Sequence, residues 1–94
     1  MTLLSKKDLL TTPRFRKDIK SLDKPIQLEA FEIAKKLCLD IKDTTLNIKK
    51  LTGFDKIYRV VVFKNYRMIY TYNDNAIILY RIAHRKDIYK KFEI

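Results

Sequence analysis

The chain has one glycine, one cysteine, two prolines and no tryptophan in 94 residues. So little glycine and proline, beside 47% hydrophobic residues, excludes a disordered or low-complexity chain and leaves enough apolar bulk for a core. The single Cys38 excludes an internal disulfide and any multi-cysteine metal site, a usage that suits a reducing compartment. Its place in an apolar helical stretch makes it core filler rather than a catalytic thiol. No run approaches the roughly 20 apolar residues of a membrane span, and residues 1–8 lack the apolar centre of a signal peptide, so a cytoplasmic protein without a membrane partner is expected. A glycine-rich phosphate loop, paired metal carboxylates and a His/Cys cluster are all missing, and neither cofactor nor metal is expected. Acidic residues are the scarce charge, 11 against 21 Lys and Arg. That balance points to a polyanionic partner.

What is present is concentrated in the last third. Arg59, Arg67, Arg81 and Arg85 are threaded with tyrosines through three apolar β-type runs, where an unpaired arginine is costly to bury. Arginine offers a planar fork to phosphate oxygens, and tyrosine offers a ring on which bases stack. The lysines cluster instead in the helical half, where they also serve to solvate a helix face.

Ninety-four residues predict a single domain over residues 1–94. Thr12-Pro13 is a good helix start, and Phe15, Ile19 and Leu22 form one apolar stripe behind it. Asp23-Lys24-Pro25 breaks that helix. A second helix follows, with Gln27, Ala30, Phe31, Ala34, Leu37, Cys38 and Ile41 expected on its buried face, so the pair predicts an antiparallel helical hairpin. Residues 42–56 lose periodicity and predict a loop. Strands are expected at Ile57–Phe63, Tyr66–Tyr72 and Ala76–Ile82, with Asn65 supplying positive φ in the first turn and 73–75 forming the second. Thr2–Leu10 is expected to be either an edge strand or a frayed lead-in.

Taken in order, the blocks Thr12–Leu22, Leu51-Thr52-Gly53, Tyr58-Arg59, Tyr66-Arg67-Met68-Ile69-Tyr70 and His84-Arg85-Lys86-Asp87-Ile88-Tyr89 resemble the signature blocks of the RelE/ParE toxin superfamily of bacterial type II toxin–antitoxin systems. The resemblance implies an α+β fold with the N-terminal helical hairpin packed on a small, mainly antiparallel sheet, similar to microbial ribonucleases. It implies a cognate antitoxin that covers the site. RelE-like members cleave messenger RNA in the ribosomal A site, whereas ParE-like members share the fold and poison DNA gyrase. An inactive homologue that only binds antitoxin, and operator DNA through it, is the third alternative.

Metal-independent RNA cleavage needs the 2′-OH deprotonated, the phosphorane's charge stabilised and the leaving oxygen protonated. The resemblance assigns Arg67 to the phosphate and aligns Arg85 with a catalytic arginine. Tyr89 matches a C-terminal tyrosine that stacks on a base or assists proton transfer, its other role being to pack the tail on the sheet. His84, the only histidine, is expected as acid or base at neutral pH. Arg59, Lys56, Arg81 and Lys64 are the expected RNA or phosphate contacts, with Arg81 sharing strand parity with Arg85. The chain departs from the RelE pattern where that family carries paired lysines: Tyr58 and Val60, or Arg59 with Lys56 near by, stand there.

Overall fold

Thr12 does what its residue type predicts: its Oγ1 accepts the Phe15 N–H at 3.1 Å and donates to the Tyr80 carbonyl at 2.9 Å. The cap thus starts a helix and ties it to the sheet in one contact. A computed structural model describes residues 6–90, in which the elements run β1 (Asp8–Thr11), α1 (Pro13–Lys20), α2 (Lys24–Leu39), β2 (Ile48–Lys50), β3 (Tyr58–Val62), β4 (Tyr66–Tyr72) and β5 (Ala76–His84). They form one α+β fold whose five strands are ordered β1-β5-β4-β3-β2. β1 runs parallel to β5 and every other neighbouring pair is antiparallel.

Two expectations change here. The described chain opens on β1, an edge strand ahead of the helices, so a helical hairpin is not the first element; residues 1–5 of the expected Thr2–Leu10 segment lie outside the described residues. The 42–56 stretch is not all loop, because Ile48–Lys50 pairs with β3. A structureless loop of that length is uncommon inside a compact domain, and the pairing removes it.

Both helices cover one face of the sheet. Phe15, Ala30, Ala34 and Leu37 pack there on Val60, Val62, Met68, Leu79 and Ile82. On α2 the buried stripe includes Ile26 and Ile33, while Phe31, expected inside, is 38% exposed and meets Phe15 only edge-on at 6.1 Å. Tyr58, Tyr70 and Tyr72 line the same face, with ring centroids 5.7 and 5.5 Å from Tyr58. Burial pushes the Tyr70 phenol well above its ordinary range.

Among the described residues no helix covers the other face. Ile57 and Ile69 are buried there beneath Ile88, which comes from the turn after β5. A β-bulge separates the two patterns: Ile69 pairs with Arg81 and Tyr70 with Leu79, leaving Tyr80 as the extra residue. That residue shifts the phase of β5, so Leu79 and Ile82, three apart, both reach the helical core.

Candidate nucleic-acid interface

The open face of the sheet carries the cations. In the ladder Lys49 lies opposite Arg59, Arg59 opposite Ile69, and Arg67 opposite both Val61 and Ala83. Residues diagonal to one another on adjacent strands share a face and sit about 7–8 Å apart. Arg59 and Arg67 are diagonal neighbours. Arg85 continues the line, because its N–H donates to Asn65 O at 2.8 Å and extends the β4–β5 ladder past its last paired residue. Three arginines therefore cross three strands over a floor of Val61, Ile69 and Ala83.

Arg67 is held for use. Its Nη1 donates to the carbonyls of Lys64 and Tyr66, each at 3.0 Å. Those bonds fix the half-buried side chain and leave its Nε and Nη2 edge without an acceptor among the described residues. This is the edge that grips two oxygens of a phosphate. Arg59 is fixed in the same way, with Nη1 donating to the backbone and side-chain oxygens of Asn47 at 3.1 Å.

The β3–β4 turn departs from expectation in its geometry. The left-handed conformations fall on Phe63 (φ 46°) and Lys64 (φ 67°), not on Asn65. Residues with side chains seldom adopt them, and here contacts impose them: the Phe63 N–H donates to Glu29 Oε2 at 3.1 Å, and Arg67 holds the Lys64 carbonyl. Lys64 stands exposed at the tip, beside Arg67 in the fold. Lys56 is also left-handed (φ 57°), and its carbonyl accepts from Thr71 Oγ1 at 2.5 Å, which places it at the far end of the open face.

Two expected site residues lie elsewhere. Arg81 is 7% exposed, with Nε donating to Asp18 Oδ2 at 2.6 Å and Nη2 to Asp18 Oδ1 at 3.2 Å. The same carboxylate accepts the Ile82 N–H at 3.1 Å, so Asp18 clamps α1 to the bulge. The Nε–Nη2 edge of Arg81 is thus occupied by Asp18, which places this guanidinium in a buried ion pair against α1 and apart from Arg59, Arg67 and Arg85. Arg81 and Arg85 both follow the bulge and keep their shared register; what separates them is Asp18, which holds the Arg81 guanidinium against α1.

His84 pairs across the ladder with Tyr66, one residue out of step with Arg67 and Ala83. Alternation puts its ring on the helical face, edge-on to the Tyr66 ring at 5.4 Å. Arg67 and His84 are thus on opposite sides of the sheet. In the tail, Ile88 is the packing residue, 1% exposed, and Tyr89 is 53% exposed. Lys49 is the cation that sequence reasoning missed, because its short strand lies in a stretch without periodicity. The length of the apparent loop was the available signal.

Among the described residues no group of three His, Cys, Asp or Glu is placed to hold a metal ion, and no helix is long and apolar enough to cross a membrane. A family model described as the ParE toxin of type II toxin–antitoxin systems matches residues 9–89. The chain belongs to that family. Toxin RelE3 of Methanocaldococcus jannaschii is 42% identical over 52 residues, a match spanning 55% of this chain and only 58% of that toxin's length. The RelB–RelE antitoxin–toxin complex from Methanococcus jannaschii is 32% identical, with a TM-score of 0.71 over 89% of this chain and 99% of the matched chain. The archaeal RelE–RelB complex from Pyrococcus horikoshii shares the fold at 22% identity, TM-score 0.71, over 85% and 96% of the two chains. The toxin is therefore a RelE/ParE-type α+β protein whose similar structures include antitoxin complexes.

Proposed function

We propose that the toxin is a ribosome-dependent endoribonuclease that cuts messenger RNA by attack of a 2′-OH, without a metal ion. The observation that supports this most is the Arg67 guanidinium, anchored through Nη1 and left with its bidentate edge on an open, cationic face. In this reading Arg67 and Arg85 hold the phosphorane, where charge accumulates in the transition state. Arg59, Lys49, Lys56 and Lys64 follow the neighbouring backbone, and the exposed Tyr89 ring stacks on a base. The partners are then the ribosome, the message and a cognate antitoxin. The last presents an acidic segment that folds over the basic face and carries the complex to operator DNA.

A second reading, a gyrase inhibitor without RNA chemistry, is favoured by the description of the matching family and by Tyr58 and Val60, which pack with the helical-face core and so supply no lysine pair to the open face. Inducing the toxin alone in a bacterial host, mapping message ends by primer extension and assaying supercoiling in parallel separates the two. Codon-phased cuts confined to translated regions, lost in a folded Arg67→Ala variant, are the expected result. Intact messages with lost supercoiling would assign the gyrase reading.

A further inference from the structure

The turn after β5 carries Arg85 and Tyr89, and the side chain of His84 holds its start. The His84 Nδ1 accepts the Lys86 N–H at 3.1 Å, and the His84 carbonyl accepts the N–H groups of Asp87 at 2.8 Å and Ile88 at 3.0 Å. A carbonyl that accepts the first helical bond, together with a side chain that accepts the N–H two residues on, is the geometry of a helix N-cap. Histidine fills the place that Asn, Asp, Ser or Thr usually takes. The imidazole also stands edge-on to the Tyr66 ring. An accepting Nδ1 also requires the neutral ring with its proton on Nε2.

The capped turn has two consequences on the far side of the sheet. It seats Ile88 against Ile69 and Ile57, and it sets the Arg85 N–H on Asn65 O. Both anchor the segment that brings Arg85 onto the diagonal with Arg67. We propose that His84 is a positioning residue: its Nδ1 caps the C-terminal turn and so fixes Arg85 and Tyr89 over the open face. The cap stands on geometry alone; its effect on cleavage rests on the ribonuclease reading.

Two substitutions separate capping from chemistry. His84→Asn keeps an acceptor where Nδ1 sits, and His84→Gln moves it out to the Nε2 position. Imidazole 15N spectra of the wild-type protein should show the proton on Nε2, and amide exchange at Lys86 and Ile88 should be roughly five- to tenfold faster in His84→Gln and unchanged in His84→Asn. Message cleavage and growth inhibition should fall about tenfold in His84→Gln and stay within about threefold of wild type in His84→Asn. Wild-type exchange in His84→Gln would overturn the cap. An inactive His84→Asn protein with native exchange would overturn the positioning role and assign His84 to the chemistry. Should the wild-type toxin leave messages intact, the ribonuclease reading fails while the exchange comparison still decides the cap.

Discussion

Against α1 an arginine, Arg81, is buried with its Nε 2.6 Å from Asp18, whereas on the open face Arg67, one strand away, has a guanidinium edge with no acceptor among the described residues. The two side chains have the same chemistry and opposite fates. A buried guanidinium persists only when its donors are matched, so the matched arginine reports on structure and the half-matched one on a ligand. The same contrast runs through the tyrosines, since Tyr70 is 1% exposed on the helical face and Tyr89, in the turn after β5, is 53% exposed.

The sharpest way to break the contrast is on the helical side. Phe15→Ala empties a site that is 0% exposed and should cost about 3–5 kcal/mol, read as a lowered urea midpoint; a loss below 1 kcal/mol would mean that α1 does not form the core. Asp18→Ala should cost roughly 3 kcal/mol, because it strips a buried guanidinium of its carboxylate and the Ile82 N–H of its acceptor. A variant with the wild-type midpoint would remove Arg81 from the structural class.

On the open face the order of effects reverses. Arg67→Ala should lower stability by only about 1 kcal/mol, the worth of its carbonyl contacts, while abolishing growth inhibition. A folded and fully toxic variant would refute the site. The smallest effect is alkaline. Burial raises the Tyr70 phenol, and a hydrogen bond with Tyr72, followed by burial, raises that of Tyr58. A phenol whose folded value lies above its unfolded one stabilises fully below about pH 10 and loses that contribution as pH rises through the folded value. Ultraviolet titration should accordingly find two late-ionising tyrosines. Six ionising together in the native protein would contradict the packed ladder.

Local pattern made much of this legible. Thr12-Pro13 capped and started α1 as its chemistry demands, and Tyr66–Tyr72 is a strand with the bounds that its apolar and aromatic run implies. Phe31 misled because the second helix carries more apolar residues than one face can bury, and only packing against Phe15 and the sheet selects Ile33 in its place. Asn65 misled because a turn's left-handed residues are chosen by their partners: Glu29 binds the backbone of Phe63, and Arg67 that of Lys64.

By itself the sequence determined that the chain has two amphipathic helices, a set of Arg- and Tyr-bearing strands and a strongly basic surface, because these depend on periodicity and composition within short windows. Only the tertiary structure decided which cations face together. β1 finds β5 across more than sixty residues, the 48–50 segment becomes a strand only by pairing with β3, one extra residue at Tyr80 brings Leu79 and Ile82 to the same face, and Asp18 holds Arg81 against α1. Side-chain direction in a sheet alternates with every residue, so a single bulge reassigns the face of every later residue in its strand, and parity read along the chain cannot register it.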